Sequence, residues 1–226
     1  MTVLDTPVTD FPGAVVILLV TGIVALLFTI FLVMDFVKNK KLPHLFIAIA
    51  FFVVSAAGIL LVIFDDYEVL LTPPVSFLGV FIPGGIAAAL FYDSVFEKNG
   101  KIIGLGYAGY IVIMSIVILI TKIIGSPIAS IMVMLAHIPS GLAIVVLPIL
   151  VYLKEKEWTA FLVSIGGALV SVAGMMLAFL VTGSELIPAG FVFALLPYVL
   201  LLASACFAFG FLYTSRWTFK VPLLKK

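Results

Sequence analysis

GAVVILLVTGIVALLFTIFLVMDFVKNKK, residues 13–41, decides the fold. Residues 13–34 carry no charge, and the run closes on Asp35 and then on Lys38, Lys40 and Lys41. A helix needs about 20 apolar residues to cross the roughly 30 Å hydrocarbon core of a bilayer. Lys and Arg next to the end of such a helix, in a short loop, mark the cytoplasmic side. The stretch therefore reads as a membrane-spanning helix whose C-terminal end faces the cytoplasm.

The same pattern recurs along the whole chain. Apolar spans are expected at about 13–36, 45–64, 75–96, 102–122, 127–152, 159–182 and 187–213, with short loops between them. Lys98 and Lys101 follow the third span, Lys154 and Lys156 the fifth, and Arg216, Lys220, Lys225 and Lys226 the seventh. Of the 12 basic residues only Lys122 falls on the other side, three residues from the end of span 4, where it can snorkel outward as an anchor. The expected fold is all-α: a polytopic protein of the cell membrane with seven transmembrane helices, N-terminus outside and C-terminus cytoplasmic. A charged fraction of 10% against 65% hydrophobic residues agrees with this class, since charged residues make up about a quarter of soluble domains.

Residues 1–11 carry Asp5 and Asp10 and no basic residue, so they lack the positive start of a signal peptide and are expected to stay attached outside. The outer loops hold Asp5, Asp10, Asp65, Asp66, Glu68 and Glu185 against Lys122. The inner side holds the other eleven basic residues against Asp35, Asp93, Glu97, Glu155 and Glu157. A net charge of +1 thus conceals a dipolar molecule, and no nucleic-acid partner is implied. The single Cys206 excludes an intramolecular disulfide and a thiolate metal cluster.

An offset of 116 residues aligns the chain with itself without gaps. Lys38 and Lys40 fall on Lys154 and Lys156, and Val54, Ser55, Ala57 and Gly58 on Val170, Ser171, Ala173 and Gly174. Span 1 then maps on span 5, 2 on 6 and 3 on 7. The layout is one transmembrane domain with a parallel repeat, 13–96 and 127–213, joined by a linker helix at 102–122. Ser164, Gly167, Ser171 and Gly174 lie on one helix face, as do Ala48, Ser55 and Gly58. Small residues let helix backbones approach in lipid, so Gly58 and Gly174 are both expected in close helix contacts.

Pro83-Gly84-Gly85 interrupts span 3 and Pro197 interrupts span 7. Corresponding breaks in two halves point to a central binding site in repeat-built transporters, although prolines are also common in membrane helices generally. His137, about ten residues into span 5, is the deepest ionisable group, and Pro139 and Ser140 follow it. Its imidazole could bind a ligand, relay a proton or satisfy the carbonyl that Pro139 leaves without a donor. Thr21 is its counterpart on span 1. Near the cytoplasmic ends lie Asp35, His44 and Asp93, which form either a gate or proton-exchange cluster or a rim facing headgroups and water.

No metal site is expected: Met132, Met134, Met175, Met176 and Cys206 read as packing residues. Motifs of zinc peptidases, serine hydrolases and phosphate-binding loops are absent from the sequence, which sets these enzyme classes aside and leaves an intramembrane enzyme or a sensor as the lesser alternatives to the functions below. Haem held by two histidines is disfavoured because His44 and His137 differ in depth by about a third of the membrane.

Seven spans in a three-one-three order resemble the layout of the SWEET sugar transporters and the microbial rhodopsins. The resemblance is one of layout alone. Span 7 has no lysine for a Schiff base, which excludes covalent retinal, and the SWEET prolines of spans 1 and 6 and asparagines of spans 3 and 7 are missing. Two functions fit what remains. One is a transporter or ligand-binding membrane protein for a small molecule or ion, its site between the two three-helix halves. The other is a cofactor-free integral subunit of a larger membrane complex, such as a respiratory one. The expected partners are the lipid bilayer and either other membrane subunits or further copies of the chain.

Overall fold

Seven helices long and apolar enough to cross a membrane make up the computed structural model, which describes residues 7–93, 97–181, 188–215 and 217. They are α1 (Ala14–Asn39), α2 (Leu42–Phe64), a third span divided into α3 (Pro73–Gly79) and α4 (Phe81–Tyr92), α5 (Gly100–Ile123), α6 (Ala129–Glu155), α7 (Trp158–Val181) and α8 (Ala189–Tyr213). No strand occurs among the described residues. The chain is a helical, multi-pass membrane protein. Arg216, Lys220, Lys225, Lys226, Asp5 and Glu185 lie outside the described residues.

The division of the third span has a cause in the sequence. Pro83 has no N–H to offer the carbonyl four residues back, that of Gly79, and α3 ends at Gly79 while α4 starts at Phe81. The span closes at Tyr92, earlier than hydropathy suggests, with Asp93 as its C-cap. Pro139, Pro148 and Pro197 are instead carried inside unbroken α6 and α8.

Six helices close into a ring. α1 packs on α2, α2 on α4, α4 on α6, α6 on α7, α7 on α8 and α8 on α1, while α5 lies outside against α3, α4 and α6. One end of the ring, the basic end, gathers the α1–α2 and α6–α7 turns with Lys40, Lys41 and Lys156. The other gathers Val8, Leu61, Tyr67 and Phe193. Between them the interior is filled by Phe28, Leu32, Phe51, Leu90, Ile144, Leu147, Phe207 and Phe211, drawn from five of the ring helices, with Val163 from α7.

Several helix ends are 116 residues apart: Asn39 and Glu155, Leu42 and Trp158, Pro73 and Ala189. The tight turns at the basic end correspond in conformation as well. Lys40 (φ 55°) and Lys156 (φ 59°) are both left-handed C-caps, and their N–H groups bond Phe36 O at 2.7 Å and Tyr152 O at 2.8 Å.

The small-residue contacts differ between the halves. A Cβ on Gly58 would lie 3.0 Å from Leu18 O of α1, so the two backbones touch there. Gly174 meets nothing within 4 Å, which corrects the expectation of a matching contact. Close approach in α7 falls instead at Gly167, where a Cβ would come 2.5 Å from Ile144 Cγ2, and Ser164 Oγ donates to Val145 O at 2.8 Å.

Candidate functional site

Asp35 stands one turn before the end of α1 and His44 in the first turn of α2, so the two-residue turn at Lys40-Lys41 folds them together. His44 Nδ1 lies 2.6 Å from Asp35 Oδ2, with the side chains 2% and 4% exposed. Asn39 Nδ2, on the next turn of α1, donates to the other carboxyl oxygen at 2.7 Å. His44 Nε2 faces the carbonyl of Trp217 at 3.3 Å. This burial removes the reading of Asp35 and His44 as rim residues open to headgroups and water.

A carbonyl only accepts, so Nε2 must carry a hydrogen to bond Trp217 O. The 2.6 Å contact on the other side of the ring also needs a hydrogen, on Nδ1 or on Oδ2, because a bare carboxylate and a bare ring nitrogen both accept. With Nε2 bonded to the Trp217 carbonyl, the pair shares one further proton between Nδ1 and Oδ2.

Asp93 is at the C-cap of α4, half-buried, its N–H bonded to Ala89 O. It occupies the same end of its span that Asp35 and His44 occupy in theirs.

The mid-depth residues are arranged differently from what the sequence suggests. His137 is half-buried, and its Nδ1 lies 3.0 Å from Val133 O in its own helix. It does not satisfy the carbonyl freed by Pro139; that carbonyl, Leu135 O, accepts the Tyr110 hydroxyl of α5 at 2.7 Å. Ser140 is fully buried and bonds Tyr107 of α5 at 2.8 Å and Ala136 O at 2.7 Å. Thr21 is buried and donates to Ile17 O at 2.7 Å. α1 packs chiefly on α2 and α8, and α6 on α4, α5 and α7, so Thr21 and His137 stand on separate sides of the ring. Pro83 and Pro197 are both buried in their spans.

At the end opposite the basic end, the carbonyl that Pro197 frees, Phe193 O, accepts the hydroxyl of Tyr67 at 3.4 Å, and the two rings stack with centroids 4.5 Å apart. Burial pushes the Tyr67 phenol up to about 12. Asp65, in a left-handed cap after α2, takes both the N–H and the hydroxyl of Thr9, at 2.9 and 2.8 Å.

Asn39, Trp217, Tyr107 and Tyr110 escape sequence reading. Asn39 alone had a local signal, four residues from Asp35 on one helix face; the others depend on long-range packing. Among the described residues no group of three His, Cys, Asp or Glu side chains could hold a metal ion. Comparison with known proteins finds no matching family model, no matching curated protein and no matching solved structure.

Proposed function

We propose that the chain is a transporter for a small molecule or ion that exchanges a proton at Asp35 and His44. The observation that carries this reading is the burial of the pair within spanning helices, where ionisable groups are costly and mark ion or substrate pathways. The basic end faces the cytoplasm, by the rule that places lysine-rich loops there.

On this reading spans 1–3 and 5–7 are the halves of a parallel repeat, and the path runs between them. The 116-residue spacing of the helix ends, the paired Lys40 and Lys156 caps and the order of contacts around the ring support it. Pro83 divides the third span of the first half and Pro197 lies buried in the unbroken third span of the second; Thr21 and His137 belong to the mid-depth walls of the path, and Ser140 ties α6 to α5 behind them. Val151 and Ala160 stand where the repeat would place Asp35 and His44, so proton exchange is confined to the first half. Asp93, at the same end, contributes to the gate.

A second reading, a cofactor-free subunit of a larger membrane complex, draws on the interior packing. Phe28, Phe51 and Phe207 pack across the ring in tilted and edge-on contacts with centroids 4.6 and 6.5 Å apart, an apolar centre suited to a structural subunit. Reconstitution into liposomes enclosing a pH-sensitive dye separates the two. Proton movement under an imposed potential, or on addition of a substrate from a panel of sugars, amino acids and organic acids, is expected from the native chain and lost in Asp35→Asn. A chain that purifies only with other subunits and moves no protons alone would replace the first reading with the second.

A further inference from the structure

Beyond α8 the chain turns back over the basic end of the ring. Thr214 Oγ1 donates to Thr159 Oγ1 of α7 at 2.9 Å. Ser215 gives its N–H to Glu157 Oε2 at 2.7 Å and its hydroxyl to the other oxygen of the same carboxylate. Trp217 then reaches the opposite half, where its carbonyl meets His44 Nε2. The indole is 2% exposed, lies edge-on to Phe211 with centroids 5.6 Å apart, and joins the apolar cluster that includes Leu32, Ile47 and Val151.

One detail sets this contact apart from ordinary core packing. A buried tryptophan usually finds an acceptor for its N–H, but Trp217 Nε1 has none among the described residues. Among the described residues, docking thus leaves unmade a hydrogen bond that water supplies when the segment is undocked. The segment is held by bonds to Thr159, Glu157 and His44 and by burial of the indole, while the unmade Nε1 bond offsets part of that burial and eases release.

We propose that Thr214, Ser215 and Trp217 act as a strap that closes the basic end and gates proton access to the Asp35–His44 pair, an inference that rests on the proton-exchange reading above. With the strap docked, the Nε2 hydrogen is spent on the Trp217 carbonyl and the imidazole is shut away from water. With the strap away, a water molecule takes the place of that carbonyl. From the imidazolium–carboxylate form, Nε2 passes its proton to that water, giving hydronium and a neutral imidazole that keeps its Nδ1 hydrogen on Asp35. The reverse step reloads the pair. Because the strap is anchored on α7 and the turn before it but ends on α2, relative movement of the two halves would pull it off.

The test uses the full chain with Trp158→Phe, which leaves Trp217 as the sole remaining tryptophan of two. In nanodiscs, quenching of Trp217 by acrylamide is expected to be weak and to rise at least threefold when Glu157→Ala and Ser215→Ala remove the tether. In liposomes the same two changes are expected to raise proton movement severalfold. Trp217 equally shielded with and without the tether would overturn the strap, as would strong quenching in the tethered chain. Proton movement in the native chain that stays the same once the tether is gone, while quenching rises, would overturn the gate. Quenching that rises in a chain moving no protons under any condition would instead overturn the transport reading and with it the gate, leaving a reversible strap alone.

Discussion

The Tyr110 hydroxyl donates to the carbonyl of Leu135 at 2.7 Å, the carbonyl that Pro139 deprives of its helical donor. The Tyr67 hydroxyl treats Phe193 O and Pro197 in the same way. An unsatisfied carbonyl is costly in a bilayer because no water reaches it, so these two prolines are each accommodated by a tyrosine from another part of the chain. Tyr110→Phe is expected to destabilise the protein by about 0.6 to 2 kcal/mol, the range of interhelical hydrogen bonds in membranes. Pro139→Ala should restore an N–H to the Leu135 carbonyl and so suppress that loss. Unfolding in mild detergent of the two single variants and the double variant measures the coupling; strictly additive losses would show that the two residues do not share the carbonyl.

The Asp35–His44 pair makes a prediction through its repeat mates. Removing one partner of a buried ion pair costs about 3 to 5 kcal/mol, whereas a well-packed apolar replacement of both is often neutral. Asp35→Ala alone should therefore be strongly destabilised. Asp35→Val with His44→Ala, the residues found 116 positions on at Val151 and Ala160, should regain most of the stability while losing proton movement. Recovery of stability is read by thermal unfolding. A double variant that still moves protons would remove the pair from the mechanism.

Gly58 and Gly174 occupy matching sequence positions with opposite surroundings. Gly58→Val would drive a branched side chain into the Leu18 carbonyl, already 3.0 Å from the first added carbon, and overpacking of that kind costs about 1 to 3 kcal/mol. Gly174→Val enters open space at the protein surface and should change stability by less than about 0.5 kcal/mol. Unfolding of both variants under one condition checks the contrast, and equal losses would contradict it.

Those two glycines also show what the sequence could and could not disclose. Helix number and approximate ends were legible because spanning length and hydropathy are properties of each segment alone. The depth of Asp35 and His44 was legible too, and a short basic turn between them brings neighbours in sequence into contact. A close helix approach needs a partner backbone, however, and periodicity within one helix cannot say whether its small face meets one, as Gly174 does not. The Trp217 contact with His44 spans 173 residues, and the tyrosines that satisfy proline-freed carbonyls come from other elements. Pairings of that range follow from the packed ring and not from any local pattern.

Orientation is testable without reference to function. In a Cys206→Ala background, Asp66→Cys lies in the turn after α2, at the end opposite the basic end, and Asn99→Cys lies exposed just before α5 among Lys98 and Lys101. A membrane-impermeant thiol reagent applied to intact cells should label the first and leave the second untouched until the membrane is opened. Labelling of Asn99→Cys alone would place the lysine-rich loops outside and reverse the direction assigned to proton release.

His137 separates a mid-depth role in transport from simple packing. Its one described hydrogen bond runs to Val133 O of its own helix, so losing the ring leaves α6 with its backbone ladder intact and its ties to α5 through Ser140 and Leu135 unbroken. His137→Ala should therefore cost no more than about 1 kcal/mol of stability, within the range of single hydrogen bonds in membrane helices. Against that small structural effect, a side chain in the wall of the path is expected to lower proton-linked flux at least tenfold when removed. His137→Gln keeps hydrogen bonding and cannot titrate. Flux retained by Gln and lost in Ala assigns the residue to ligand binding, and flux lost in both assigns it to proton relay. Normal flux in His137→Ala would take the residue out of the path and leave Asp35 and His44 as the ionisable groups on which transport depends.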